Sequence, residues 1–345
     1  MGWKLYPIGE FRNHQDRWQH LNRETVASPL LDEAFISPLL DVFSNGKEVL
    51  ACYERSDQLQ AMSILVPHGH GAWSTFQPSQ APLGAWMHNS DMDWPQLLSE
   101  LTKKLPGFPL VLGITQQDPD LVLRPQDYGK IKTLDYIQTA RISIQGNFED
   151  YWNARGKNLR QNMKKQRNKL EKKGVVTRLQ VSSEAEEVAQ AIMDYGRLES
   201  AGWKSMGGTA IHPDNAQGQF YRTMLETFCR QDAGRIYRYW YNNQIAAMDL
   251  CIEGADSIIV LKTTYDESIS DGTSPALLMR EEECKQLFDE GKLKKIEFYG
   301  KLMEWHTKWS GETRTIYHVN NYRWPILSFV RRAMNNTSTA SSQDA

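Results

Sequence analysis

Three side chains stand where a proton could be taken from an attacking amine or hydroxyl. His306, in the stretch EWHTKW, is the one whose ordinary pKa suits that work near neutral pH. Asp249 falls in the strand-like run NNQIAAMDLCIE. It shares one face with Ala247 and Cys251, while Met248, Leu250 and Ile252 take the other, and an acid on a face of small residues reads as lining a cleft. Asp266 follows Tyr265 at the end of the β-branched run IIVLKTTYDE. Glu297 and Tyr299 lie on a later strand pattern, where Tyr299 is a candidate substrate contact. Such groups can take a proton from a nucleophile or steady a charge that develops on oxygen. A plainer reading of His306, beside Trp305 and Trp309, is a packed residue.

A second kind of chemistry belongs to SDGTSPALLM, residues 270–279. The first amides of a helix are donors at the positive end of its dipole, and they suit a phosphate. Gly272 lets the backbone approach closely, Ser274 can cap, and Pro275 suits the first helical position because it lacks an N–H. Gly272, Thr273, Ser274, Ala276 and Leu277 are the expected contacts for a diphosphate. An ordinary capped helix explains Ser-Pro equally well; the order of the strands before it favours anion binding.

Two further stretches could face a substrate. RGKNLRQNMKKQRNKLEKKG carries nine Lys or Arg against one Glu over residues 155–173. Trp152, Leu159, Met163 and Leu170 make one apolar stripe along it, so the cations face outward. That face reads as a seat for phosphates, for an acidic polysaccharide or for tRNA, or else as a solvated linker helix. In SAGWKSMGG, Trp203 can stack on a sugar ring while Lys204 binds a phosphate or carboxylate, or Trp203 simply anchors the loop.

The elements that must position these residues fall into two halves. At 345 residues, a chain more often builds two cores than one. The division expected is a first module over 1–145, a second over 146–334 and a disordered tail over 335–345. The first half reads as a helix at 28–43, strands at 48–53 and 59–66, an aromatic and Pro/Gly-rich segment at 73–86, a helix at 94–105 and strands at 110–114 and 136–144. Trp73 and Trp86 are either a carbohydrate platform or core. The second half opens with a helix at 148–173 closed by Gly174. It continues with a strand, two helices, three antiparallel strands and a helix from Pro275, then a strand at 295–299, a short helical stretch and a last strand at 313–319.

Composition narrows the class. Net charge is −2, so any basic feature is local and broad nucleic-acid binding is not expected. Cys52, Cys229, Cys251 and Cys284 are scattered without metal-ligand spacing, so no metal is expected and a reducing compartment is. No apolar run reaches the ~18 residues of a membrane span, and Tyr6 stands where a myristoylation signal wants Ser or Thr. The expectation is a soluble cytoplasmic protein. The chain has no P-loop, GxSxG, HExxH or repeat signature.

Taken in order, the second half resembles the GNAT acyltransferases. The nearest likeness is to the acetyltransferases of bacterial cellulose and exopolysaccharide clusters (CelD/BcsL-type). A more distant one is to the Fem-type aminoacyl transferases, which share a doubled GNAT architecture. The likeness rests on the basic helix, SAGWKSMGG, the hairpin NNQIAAMDLCIE into IIVLKTTYDE, the SPALLM helix start, and EFYG followed by EWHTKW. It spans about residues 145–320. The resemblance implies an α/β (α+β) fold of two fused GNAT-like modules, with mixed, mostly antiparallel sheets flanked by helices. It further implies acyl-CoA, acetyl-CoA in the first instance, as co-substrate, and an acceptor in cell-surface polysaccharide biosynthesis. Under the Fem-type alternative the donor is an aminoacyl-tRNA; a third alternative is a catalytically inert GNAT-like scaffold. Standard relatives carry R/Q-x-x-G-x-G/A where this chain has SDGTSPA with one glycine. They place Tyr-Lys where it offers Trp305-His306.

Overall fold

The computed structural model describes residues 2–201, 211–269 and 272–327, and these form two compact units. The first comprises Met1–Ile36, Phe43–Ile137 and the chain from Thr315; the second comprises Ser37–Val42 and Gln138–Arg314. Besides the short excursion over 37–42 within the helix at 33–43, the chain changes unit at 137/138 and at 314/315, so the last strand among the described residues counts mostly with the first unit. Residues 335–345 lie outside the described residues.

In the first unit the elements are β1 (Gly2–Pro7), α1 (Gln15–Thr25), α2 (Glu33–Phe43), β2 (Val49–Arg55), β3 (Gln58–Pro67), β4 (Ala72–Thr75), β5 (Trp86–His88), α3 (Trp94–Lys104), β6 (Val111–Gln117) and the start of β7 (Ile131–Ser143). Its sheet runs β1-β2-β3-β4-β6, then the last strand of the chain, Thr313–Tyr322, with β5 added on β3. β4 and β6 are parallel, whereas β1–β2, β2–β3, β3–β4, β3–β5 and the pair of β6 with Thr313–Tyr322 are antiparallel. Trp73 and Trp86 are 7% and 0% exposed, which makes them core and removes the carbohydrate-platform reading.

The second unit continues with α4 (Phe148–Asn153), α5 (Lys157–Lys172), β8 (Thr177–Ser182), α6 (Ala185–Ala201), α7 (Ala216–Arg230), β9 (Gly234–Tyr241), β10 (Gln244–Glu253), β11 (Ser257–Tyr265), α8 (Pro275–Glu290), β12 (Lys295–Phe298), α9 (Glu304–Trp309) and the start of β13 (Thr313–Tyr322). The order across its sheet is β8-β9-β10-β11-β12 and then the end of β7. β8 to β11 are antiparallel, β11 and β12 parallel, β12 and β7 antiparallel. The fold is thus a mixed α/β one, with helices on the sheets.

Local chemistry explains the elements that matter for the site. The basic helix α5 buries Leu159, Met163, Gln166 and Leu170, spaced so that all four share one face. Leu159, Met163 and Leu170 join Tyr237 and Tyr239 of β9 and Leu278 and Leu287 of α8 in one hydrophobic core. A single helix over 148–173 is not formed: Gly156 takes an extended conformation and divides it into α4 and α5. α8 starts at Pro275, and Gly291 ends it in the left-handed conformation (φ +60°) that glycine adopts without a Cβ clash.

Candidate acyl-donor site

The site forms where β11 and β12 part. They pair only from Ser257↔Lys295 to Val260↔Phe298, after which β12 ends and β11 runs on to Tyr265 against β10. The β10–β11 register steps from Cys251↔Val260 to Leu250↔Lys262, leaving Leu261 without a partner. Such a bulge bends and twists the strand that carries it, here at the first residue beyond the last β12 pair. A cleft of about 750 Å³ opens beside it, walled by Thr263, Tyr265 and Asp266, by Leu277 and Arg280 of α8, and by Trp305. That volume lies within the ~300–1,000 Å³ usual for small-molecule sites.

The start of α8 forms one end of the cleft, with Thr273, Ser274, Pro275 and Ala276 on its wall. Its donor set is narrower than the sequence suggests. The Ser274 N–H donates to Gln166 Oε1 at 2.6 Å, and Pro275 has none to offer. The Leu277 and Leu278 amides return to the Ser274 carbonyl at 3.0 and 3.1 Å. Leu277 therefore contributes its side chain to the wall, not its N–H. The Ala276 amide has no backbone acceptor among the described residues. Thr273 is buried, and its hydroxyl accepts from the Tyr241 hydroxyl at 3.3 Å.

Just before it, Gly272 holds φ +74°, and a Cβ there would stand 3.2 Å from Lys169 Nζ. The basic helix thus brings an ammonium against the glycine backbone at the mouth of the α8 start. Lys169 is half-buried, whereas Lys164 and Lys165 are exposed. Arg167 is committed elsewhere, to Glu281 and Glu282 at 2.6 and 2.9 Å. A cation, a glycine that lets a ligand approach and a helix N-terminus fit the phosphates of an acyl-CoA.

Of the three acid–base candidates, only Asp266 lines the cleft. It is buried and accepts from Gln244 Nε2 at 2.5 Å and from the Ser268 N–H and hydroxyl at 2.9 and 2.5 Å. Asp249 is fully buried and faces Arg280 instead of the cleft. His306 is 5% exposed, stacks on Trp305 at 3.6 Å and accepts the Met303 N–H through Nδ1 at 2.9 Å. Its basic lone pair is spent on capping α9. Burial pushes its pKa down to about 4. Tyr299 lies under the Arg314 guanidinium, 5.0 Å from its ring centre, and is not on the cleft wall. Trp203 and Lys204 lie outside the described residues, as do Ser270 and Asp271.

The buried cluster behind the cleft is one the sequence reading missed. Arg280 donates through Nη2 to Asp249 and through Nη1 to Glu283 Oε2 at 2.6 Å; all three are nearly inaccessible. Burial raises the Asp249 pKa against the pull of Arg280. It pushes Glu283 up to about 8, with Arg280 opposing and Asp249 adding to the rise. Asp249 Oδ1 and Glu283 Oε1 are buried with no hydrogen-bond partner among the described residues. A buried acid demands a buried counter-charge, and that rule, applied to Asp249, points to a cation on the inward face of α8.

The depressed His306 predicts acid lability. Its imidazole stays neutral in the folded protein to about pH 4, whereas the unfolded chain takes a proton near 6.5. Stability contributed by the neutral ring is present above 6.5 and is lost as pH falls through 4. His306→Asn, which keeps a capping acceptor, should flatten this loss; urea midpoints at pH 7 and pH 5 measure it.

Among the described residues, no group of three or more His, Cys, Asp or Glu could hold a metal ion, and no helix is long and apolar enough to cross a membrane. Residues 157–307 match the family model described as an acetyltransferase (GNAT) domain. No curated protein matches the chain. Among solved structures, the DUF2156 C-terminal domain assigned to a lysylphosphatidylglycerol synthetase of Agrobacterium fabrum is 11% identical, covering 90% of this chain and 91% of that one, with a TM-score of 0.56. FemX is 9% identical, over 92% of this chain and 98% of its own, with a TM-score of 0.57. At these identities the likeness is one of fold. The match from α5 to α9 takes in every wall of the cleft, and with the fold it supports an acyltransferase.

Proposed function

We propose that the protein transfers an acyl group, acetyl in the first instance, from acyl-CoA to an amine or hydroxyl acceptor by direct attack. The observation that carries this reading is the parting of β11 from β12 at the Leu261 bulge, beside a cleft that ends on the α8 N-terminus. In this reading Gly272, Thr273, Ser274 and Ala276 with Lys169 hold the phosphates, and Leu277 packs on the pantetheine arm. The thioester enters the wedge between the strands. Asp266, on the cleft wall, takes the acceptor's proton. Asp249, His306 and Tyr299 support the walls without touching the substrate, and Trp203 with Lys204 belongs to the acceptor side. Residues 1–145 make a degenerate GNAT-like module. The likeness to exopolysaccharide-cluster acetyltransferases favours a cytoplasmic enzyme acting on a cell-surface polysaccharide or its precursors.

The Fem-type reading, with aminoacyl-tRNA as donor, is favoured by the FemX fold and by the exposed cations Lys164 and Lys165. Thermal shift separates the two. Acetyl-CoA should raise the melting temperature and charged tRNA should not; the reverse pattern would replace the first reading with the second.

The basic helix supplies a finer test. Lys169→Glu places a carboxylate beside the phosphates and should weaken acetyl-CoA binding about tenfold, or ~1.4 kcal/mol. The double variant Lys164→Glu, Lys165→Glu should leave it within about twofold, because exposed charges in high dielectric couple weakly. Equal effects measured by calorimetry would mean that the helix acts only through its overall field.

A further inference from the structure

Among the described residues Arg280 is the one cation on the cleft wall, yet holding the donor's phosphates gives it no task. Its guanidinium bridges the two strands just past their last paired position. Nη2 lies 3.4 Å from Thr263 Oγ1 on β11, and the guanidinium carbon lies 5.2 Å from the ring centre of Phe298, the last residue of β12. A guanidinium has five N–H donors. Asp249, Thr263 and Glu283 take three; the other two have no partner among the described residues. Arg280 Nε makes no bond to the described residues and is not sealed from the cleft, so an oxygen entering the wedge can accept from it.

We propose that Arg280 binds the carbonyl oxygen of the acyl thioester, with Asp249 and Glu283 as positioning residues that hold the guanidinium at the fork of the strands. This rests on the acyl-CoA reading above and adds the group that polarises the bond to be attacked. Asp249 already balances the charge of Arg280. A second carboxylate would bring a buried, uncompensated charge, so the site selects a neutral carbonyl oxygen over an acidic ligand. In the transfer, the acceptor's lone pair bonds to the carbonyl carbon and the π pair moves onto the oxygen beside Arg280. That pair returns as the C–S bond breaks, and CoA leaves as the thiol with the proton that the acceptor gave up. A donor aimed at the developing charge accelerates this step, because its bond strengthens as the charge forms.

The test is the ¹³C resonance of acetyl-CoA labelled at the thioester carbonyl, recorded with the full chain near pH 7. Bound to the native protein, the carbonyl should move downfield of its free position. In the charge-balanced double variant Arg280→Gln, Asp249→Asn, acetyl-CoA should still saturate the site, with a Kd weaker by about tenfold, and the carbonyl should return close to its free position. Glu283→Gln, nearly isosteric and expected to fold, should reduce the downfield shift without weakening binding, which a purely structural role would not do. A bound carbonyl at the same position in native protein and variants overturns the assignment of Arg280 but leaves the donor site standing. No bound resonance at all with native protein overturns the donor reading itself, and the assignment with it.

Discussion

Gly272→Val should weaken acetyl-CoA binding at least tenfold while the protein stays folded. The native φ of +74° lies in a region that costs a β-branched residue about 1–3 kcal/mol, so the loop must rotate toward negative φ. That rotation carries the backbone away from the mouth of α8 and puts a branched side chain against Lys169, whose amine stands 3.2 Å from the new Cβ. Two contacts of the proposed phosphate site are lost at once. The fold is spared more than the affinity, because the Lys169 side chain can swing aside and the α8 core residues Leu278 and Leu287 do not move. Calorimetric titration paired with a melting curve reads both quantities. Unchanged affinity would remove Gly272 from the site.

Asp249→Ala should be the most damaging single change to stability, by about 3–5 kcal/mol, because it removes a carboxylate that the Arg280 guanidinium donates to and leaves that cation buried with Glu283 as its one remaining carboxyl partner. The double variant Asp249→Leu, Arg280→Met should cost much less, since replacing a whole buried pair with apolar groups of similar size is often near neutral. Glu283 adds a pH signature. In the unfolded chain its carboxyl loses the proton near the ordinary 4.5; in the folded protein burial keeps it to about 8. The folded state holds the extra proton between those values. The Glu283 contribution to stability should therefore fall as pH rises from about 4.5 through 8, opposite in sign to that of His306 below 6.5, and Glu283→Gln should remove it. Urea midpoints between pH 5 and pH 9 measure both effects; a slope that survives Glu283→Gln would place the proton elsewhere.

The frame of the site was legible because it is written in local chemistry. Ser274-Pro275 and Gly291 mark the ends of α8, and Asn242, at φ +54°, marks the turn between β9 and β10. Strand order then places the α8 start beside the end of β11. What was not legible depends on pairing across the fold. The bulge at Leu261 exists only relative to β10, and no residue type announces it. The small neighbours of Asp249 suggest an acid facing a cleft, whereas its carboxylate is taken by Arg280 of α8, a pairing across the fold that the strand's own residues do not announce. His306 was read from its ordinary pKa, which burial and the Met303 amide override. In the first unit, β1 and α1 went unread. α1 buries only Trp18, Leu21 and Asn22, so its periodicity is faint, and β1 is a six-residue strand paired only to β2.

Titration of the full-length protein with acetyl-CoA by calorimetry, repeated with Gly272→Val, tests the account most directly. The expected result is one saturable site per chain, competed by free CoA and severely weakened in the variant. Heat no larger than dilution for native protein, or binding that the variant leaves untouched, would show that the wedge between β11 and β12 does not hold an acyl donor.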